Sequence, residues 1–371
     1  MKLGLSAKLQ VKLSKVFWIT LLWTIFGVLE VLYIHVLSFD FPSFKALATY
    51  SFQDLLLANL IAVFIGGLIA GCILVFMLRG RFRDSSFMMS VFLNTLILFL
   101  ILLVVIGIGT GIYNSYQADI PFFSHQTFTR VIKSFLSYFF LSKLILWLII
   151  IFITNLFLDV NDKYGAGVLR QLIMGKYHHP REEERIFMFL DMKGSTGIAE
   201  RIGHIKFFEL LHDFFQDITD PILFTNGSIY QYIGDEVIIV WKIPTGVKNA
   251  NCIRCFYNIR ETIARNAADY MEKYGVIPDF KAGIHCGKVT IGEMGVLKRD
   301  IVFSGDVLNT TARIQSMCNE FGVKLLMSKR LLDKIGMAPN RIDTKKIGNI
   351  SLKGKKKKVV LYTIEEEQTR V

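Results

Sequence analysis

The pattern of apolar and polar positions changes character about 160 residues into the chain. Before that point, apolar residues form four runs, each long enough to cross a bilayer as a helix. These runs are residues 17–37, 55–78, 87–113 and 135–158. After that point, shorter apolar runs alternate with turn-forming residues. The pattern predicts an α-helical membrane domain with four spans over residues 1–160, a linker over 161–184 and an α+β domain over 185–371.

The α+β prediction starts from two short apolar runs that flank a helical pattern. IFMFL precedes Asp191 and VIIVW follows Asp235, and both are typical of buried strands. Between them, Phe207, Phe214 and Ile218 recur at helical spacing. With a later amphipathic helix and further strands, the order is β-α-β-β-α-β plus extensions. That order is typical of a ferredoxin-like palm.

Charge predicts how the four spans are oriented. Only 20% of the residues are charged and 52% are hydrophobic, which is too apolar for an ordinary soluble protein. Basic residues precede the first run and fill the connection after the second run. They are Lys2, Lys8, Lys12, Lys15, Arg79, Arg81 and Arg83. The positive-inside rule places both segments in the cytoplasm, and four spans return the chain there near Asp159. We therefore expect a multi-pass protein of the cell (inner) membrane, with its N-terminus and its α+β domain cytoplasmic.

The net charge of +12 does not indicate nucleic acid binding. Much of the excess lies in the basic segments beside the spans and in a lysine cluster near the end of the chain. The sequence therefore predicts the lipid bilayer as a partner and predicts no nucleic acid partner.

Two charged residues lie inside the apolar runs, Glu30 in the first and Lys143 in the fourth. Counting ~1.5 Å per residue from the outer ends of the runs places both roughly 10–12 Å below the outer surface. Charged groups in a bilayer are costly and rarely unpaired, so equal depth permits a salt bridge within or between chains. The alternative is that Lys143 extends outward and Glu30 is protonated.

Asp191 and Asp235 each stand at the tip of an apolar run. A carboxylate at a strand end and another at a hairpin tip can converge on one point. Without Cys or His nearby, such a pair suits a hard cation such as Mg²⁺, with substrate phosphates completing the coordination. Taken singly, each aspartate could instead cap a helix or form a turn.

Three ordered motifs lower the weight of that simpler interpretation. FLDMKGST, YIGDE and SGDVLNTTARIQ together resemble class III nucleotidyl cyclases, the adenylate and guanylate cyclase family. The resemblance covers about the last half of the chain. It implies the palm fold and conversion of ATP to 3′,5′-cyclic AMP and pyrophosphate by a two-metal mechanism. It also implies that Asp191, Asp235 and the Met192 backbone carbonyl bind two Mg²⁺ or Mn²⁺ ions per site.

The resemblance assigns roles to three more residues. Asn309 matches the asparagine that orients the ribose, and Arg313 matches the arginine that binds developing phosphate charge. Lys353 matches a lysine that meets the terminal phosphates, although a solvated surface cation is the simpler interpretation there. In this family the active sites lie between two catalytic domains, so the resemblance implies a homodimer with two equivalent sites.

Two positions depart from the family pattern. Gln231 stands where adenylate cyclases usually have Lys, and Val302 where they usually have Asp or Thr. Both positions read the purine edge in the family. Gln can donate and accept hydrogen bonds, whereas Val can do neither. ATP is the expected substrate, because the guanine-selective pair of Glu and Cys is also absent.

Other functions remain open at this point. A guanylate or other nucleotide cyclase would differ from an adenylate cyclase only in the base of its substrate. A diguanylate cyclase shares the palm but has a second glycine in its hairpin and lacks the Asn–Arg helix. A non-catalytic nucleotide-binding membrane sensor would fit the altered purine pair, although every metal and transition-state position is filled.

Overall fold

A computed structural model describes residues 7–40, 52–78, 86–164, 175–296, 300–336, 344–350 and 358–364. The chain divides into two compact units. One unit is Leu9–Arg170, and the other is Gln171–Val371 together with Met1–Lys8.

In its described part, the first unit consists of helices joined by short connections. Its helices are α1 (Ala7–Asp40), α2 (Phe52–Cys72, continued by a π-helix over Ile73–Leu78), α3 (Phe87–Ala118), α4 (His125–Phe135) and α5 (Tyr138–Tyr164). Four of them are long and apolar enough to cross a membrane. The candidate spans are Leu9–Val36, Asn59–Leu78, Phe87–Tyr116 and Phe140–Asn161. Each overlaps one of the four predicted apolar runs.

The connection between the third and fourth predicted runs contains a helix of its own. Helix α4 ends at Phe135, where the fourth run was predicted to begin. The Ser124 hydroxyl accepts a hydrogen bond from the Thr127 N–H and caps α4. This helix is short and amphipathic and carries Arg130 and Lys133, so it lacks the continuous apolar run by which the four spans were recognised.

Glu30 and Lys143 form a salt bridge within this one chain. Lys143 Nζ lies 3.1 Å from Glu30 Oε1, and Trp147 Nε1 donates to Glu30 Oε2 over 3.3 Å. The Trp23 and Trp147 rings pack edge to face with centroids 5.7 Å apart. The intrachain form of the predicted pair is confirmed, and it joins α1 to α5.

The second unit is a sheet with helices on both faces. Its strands are β1 (Arg181–Met192), β2 (Ser228–Ile233), β3 (Glu236–Lys242), β4 (Phe280–Met294), β5 (Asp300–Ser304), β6 (Leu325–Ser328), β7 (Thr344–Ile350) and β8 (Val359–Ile364). Its helices are α6 (Ser195–Ile202), α7 (His204–Phe224), α8 (Ile243–Val247), α9 (Asn251–Arg265), α10 (Ala267–Tyr274), α11 (Asp306–Ser316) and α12 (Lys329–Ile335). A short 3₁₀ segment, Lys248–Ala250, connects α8 to α9.

The sheet order is β2-β3-β1-β4-β6-β8-β7, with β5 paired to β4. The β2-β3-β1-β4 part is antiparallel at every pairing. With the helices that connect these strands, it confirms the predicted β-α-β-β-α-β order. β1 begins at Arg181, so the charged residues before the first apolar run belong to the strand.

Alternating residues of β1 divide the core between the two faces of the sheet. Met188 and Leu190 belong to the cluster that packs under α7 and α9. Phe187 and Phe189 belong to a second cluster with residues of α11. Gly283 of β4 is required on that face, because a Cβ there would lie 2.4 Å from the Gln315 backbone nitrogen. α11 therefore packs directly on the strands that carry the candidate site.

Two more predictions concern helices in and before this unit. The amphipathic pattern expected as one helix is split into α9 and α10 at Asn266, whose side chain donates to Asp217. A short amphipathic helix expected over residues 168–173 lies outside the described residues.

Candidate active site

The end of β1 places Asp191 between two charged residues of the neighbouring strands. Its backbone is in register with Glu236 of β3 on one side and with Lys281 of β4 on the other. The Asp191 side chain keeps 23% of its exposure, and that of Lys281 keeps 11%. A carboxylate at a strand end therefore meets a second acid and a nearly buried cation.

The hairpin between β2 and β3 brings Asp235 to the same point. Gly234 has φ 62°, which favours glycine and allows the tight turn. Burial and then the Asp235 charge raise the pKa of Asp191 above its usual value. Burial, followed by the charges of Asp191 and Asp235, raises the pKa of Glu236 to about 7. The structure brings the two predicted aspartates together and adds Glu236 beside them.

Two residues hold the Asp191 carboxylate in place. Lys281 Nζ lies 3.3 Å from Asp191 Oδ2, and Gln315 Nε2 of α11 donates to the same oxygen over 2.9 Å. Both interactions favour the ionised carboxylate, although burial and Asp235 outweigh them in setting its pKa. Asp191 is fixed from two elements before any ligand arrives.

The donor set fits a hard divalent cation. Asp191, Asp235 and Glu236 offer only oxygen atoms, and their mutual repulsion is relieved by positive charge. Within the described ranges, no group of three or more His, Cys, Asp or Glu residues is arranged to hold a metal by itself. Substrate oxygens would have to complete the coordination, which is how Mg²⁺ is commonly bound beside phosphates.

Asn309 and Arg313 share one face of α11, as their spacing predicts. The opposite face of α11 is buried on the sheet and includes Val307, Thr311 and Ile314. In the part of the chain that the structure describes, neither Asn309 nor Arg313 makes a hydrogen bond or ion pair with Asp191 or Asp235. The predicted transition-state residues and the predicted metal ligands are not brought together by contacts within one chain.

The remaining predicted site residues lie on separate strands. Gln231 is exposed on β2, beside a bulge, and Val302 is half-buried on β5. The two strands touch through neighbouring residues, because the Tyr230 hydroxyl accepts from the Phe303 N–H over 3.3 Å. Met192 ends β1 with its side chain buried. Lys353 lies outside the described residues.

Sequence reasoning missed Lys281 and Gln315 as site residues, and it did not give Glu236 a role. Each carries a weak local signal. Lys281 stands between Phe280 and Ala282 near the start of β4, Gln315 is a polar residue on the buried face of α11, and Glu236 directly follows Asp235. None of these signals identifies the partner.

The sequence matches the family model of the adenylate and guanylate cyclase catalytic domain over residues 178–366. This match covers just over half of the chain, and the chain belongs to that family.

Curated relatives resemble the same region. The chain is 35% identical to adenylate cyclase 2 of Rhizobium meliloti (strain 1021) over 207 residues, covering 56% of this chain and 57% of that protein. It is 23% identical to adenylate cyclase 1 of the same organism, covering 49% of this chain and 27% of that protein. The chain thus spans less than two thirds of the length of these relatives.

Among solved structures, a bacterial light-regulated adenylyl cyclase has a TM-score of 0.52 and 19% identity. The match covers 62% of this chain and 65% of that one. At this identity the likeness shows the cyclase fold alone.

Proposed function

We propose that this chain is a membrane-anchored adenylate cyclase that converts ATP to 3′,5′-cyclic AMP and pyrophosphate. The observation that carries the proposal is the convergence of Asp191 and Asp235 at one strand end, in a chain that belongs to the cyclase family. The four apolar helices of the first unit support the membrane anchor. The charge of their connections supports a cytoplasmic N-terminus and catalytic domain.

The reaction forms a bond between the ribose 3′-oxygen and the α-phosphorus. It breaks the bond from the α-phosphorus to the oxygen that bridges to the β-phosphate, and it releases pyrophosphate and the hydroxyl proton. Asp191, Asp235 and the Met192 carbonyl would hold two divalent cations, Mg²⁺ or Mn²⁺, which lower the pKa of the 3′-hydroxyl and offset phosphate charge.

The protein's own residues orient these groups. Lys281 and Gln315 fix one oxygen of Asp191, so that the carboxylate needs little rearrangement when substrate binds. Arg313 would bind the negative charge that develops on the phosphate, and Asn309 would orient the ribose. Lys353 would meet the terminal phosphates. In-line geometry is the main requirement of this phosphoryl transfer.

A homodimer would complete two equivalent sites. Asn309 and Arg313 lie on the face of α11 opposite to the one packed on their own sheet, whereas Gln315 of the same helix reaches Asp191. This division supports an active site in which one chain supplies the aspartates and its partner supplies Asn309 and Arg313.

The test is to incubate the purified full-length protein with ATP or GTP and Mn²⁺ and to identify the products. We expect cyclic AMP from ATP, and cyclic GMP from GTP at a lower rate. Failure of both nucleotides to cyclise, with nucleotide binding intact, would favour a non-catalytic sensor instead.

Mixing two inactive variants tests the shared site. Asp191→Ala and Arg313→Ala should each be inactive alone and recover partial activity together, because one interface of the mixed dimer has a full set of groups. If mixed dimers form and no activity returns, each site is built within one chain.

Purine selection is tested at the two positions that depart from the family pattern. Changing Gln231 to Lys and Val302 to Asp should raise the preference for ATP over GTP by roughly tenfold, because a hydrogen bond at a buried base edge is worth ~1–3 kcal/mol. The ratio of kcat/KM for the two nucleotides is the measurement. An unchanged ratio would mean that other residues read the purine.

A further inference from the structure

A cavity with both polar and apolar lining residues lies in the catalytic unit, and none of its lining residues belongs to the Asp191 site. Its volume is about 230 Å³. That is far more than the ~10–15 Å³ needed for one water, so a multi-atom ligand has room. It is lined by β4, the turn from β6 into α12 and the start of β8. Three separate parts of the chain therefore meet a single ligand-sized space.

Two buried polar side chains belong to this cavity. His285 of β4 is 6% exposed and Ser328 at the end of β6 is fully buried. His285 Nδ1 lies 2.7 Å from Ser328 Oγ. The proposed cyclase chemistry uses neither of them. Buried polar groups are expensive unless they are bonded, and here their pairing fixes an imidazole and a hydroxyl at a cavity wall.

The outer part of the cavity is basic. Lys329, Arg330 and Lys358 line it, and within the described residues no acidic side chain does. Arg330 pairs with Glu184 over 2.9 Å, but Glu184 also binds Lys334 over 2.7 Å. One carboxylate thus faces two cations, and the surroundings of the cavity keep an excess of positive charge.

We propose that this cavity binds an oxyanion of the phosphate class. A tetrahedral oxyanion has acceptors in several directions, which matches cationic and polar groups that arrive from three elements. Val359 and Val360 complete the wall.

A bound anion would tie β8 to β4 and to the β6–α12 turn. In the sheet these strands follow one another in the order β4-β6-β8, and β7 lies beyond β8 at the edge. The anion would therefore raise the stability of this part of the sheet. This binding does not depend on cyclase activity, so the proposal stands or falls separately from the proposed function.

The test measures the unfolding midpoint of the full-length protein in detergent, with EDTA present and inorganic phosphate added. Potassium chloride of equal ionic strength is the reference. At a tenfold excess of phosphate over Kd, we expect the midpoint to rise by about 3–5 °C. Pyrophosphate and ATP form separate arms, which distinguish a free anion from a nucleotide phosphate by relative affinity.

Three sets of variants distinguish phosphate binding at this cavity from non-specific attraction to surface charge and from binding at the active site. The Lys329→Ala, Lys358→Ala double variant should bind phosphate at least about tenfold more weakly. The matched control is Lys345→Ala, Lys346→Ala, which removes the same charge from exposed positions of β7 and should keep wild-type affinity. Asp191→Asn should also keep it.

Three results would overturn the proposal. The first is that phosphate raises the unfolding midpoint of the wild type no more than chloride does. The second is that the two double variants lose phosphate affinity equally, and the third is that Asp191→Asn loses phosphate binding. The second result would indicate general electrostatic attraction, and the third would indicate the active site.

Discussion

Each of the two units contains a partly buried pair made of one acid and one lysine, and the pairs differ in what surrounds them. Glu30 and Lys143 lie 3.1 Å apart in the helical unit, and Asp191 and Lys281 lie 3.3 Å apart in the catalytic unit. In the helical pair, the other oxygen of the acid accepts a hydrogen bond from an indole. In the catalytic pair, burial and the Asp235 charge raise the pKa of Asp191, and burial and the charges of both aspartates raise the pKa of Glu236 to about 7.

The difference teaches how a buried ion pair can serve structure or chemistry. A carboxylate that faces one ammonium and accepts from one neutral donor is balanced in charge, and it joins two helices. A carboxylate beside Asp235 and Glu236 is left with excess negative charge even after Lys281 is counted. Such a site is stabilised by a further cation, whereas the helical pair has no such need.

The largest expected effect is on catalysis. Asp191→Asn should lower turnover by about 10³–10⁵-fold, because it removes a proposed ligand of the catalytic cations. The measurement is cyclic AMP formed per correctly folded protein. Asp213→Asn is the control, since Asp213 also pairs with a lysine, Lys273, but lies outside the candidate site. Near-normal turnover in Asp191→Asn would remove the metal assignment.

The next effect is on folding of the helical unit. Glu30→Lys and Lys143→Glu should each destabilise the protein by about 3–5 kcal/mol, because each leaves a buried charge without its partner. The double exchange should recover most of that loss. Protein recovered from membranes and its unfolding midpoint in detergent report the effect. If the double variant is as impaired as the worse single variant, the pair contributes no coupling.

Metal rescue distinguishes the two pairs directly. Lys281→Met should destabilise the metal-free protein by about 1–3 kcal/mol, because the clustered carboxylates lose their cation. Added Mg²⁺ should restore more stability in this variant than in the wild type. Lys143→Met should gain no more stability from Mg²⁺ than the wild type does. Lys273→Met is the control in the catalytic unit, because Lys273 pairs with Asp213, which lies outside the candidate site.

The smallest effect concerns an acid at the surface of the catalytic unit. A hydrogen bond from Lys334 lowers the pKa of Glu184 below its ordinary 4.5. Its stabilising contribution is therefore complete above that value and is lost as pH falls through the lower folded-state pKa. Because the pair is partly exposed, Glu184→Gln should cost less than ~1 kcal/mol at neutral pH. Unfolding midpoints from pH 6 down to pH 3 should converge for the two proteins, and parallel curves would contradict this account.

Several features followed from local sequence alone. The four apolar runs predicted the four long helices, since a span requires only length and hydropathy. The β-α-β-β-α-β order followed from changes in the spacing of apolar residues. Asp191 and Asp235 were recognised as candidate site residues from their positions at the ends of apolar runs. Even the Glu30–Lys143 pair could be predicted, because a helix rises by a constant amount per residue and two depths can be compared by counting.

The partners of Asp191 were decided by tertiary structure. Lys281 and Gln315 stand far from Asp191 along the chain, and they reach it through strand register and through α11 packing against Gly283. A shift of one residue in that register would turn Lys281 to the other face of the sheet. Such registers are set by the fit of the whole core, so no local pattern specifies them. For the same reason, the packing of α11 decides which of its polar residues face the sheet. Gln315 turns inward and binds Asp191, whereas Asn309 and Arg313 lie on the outer face.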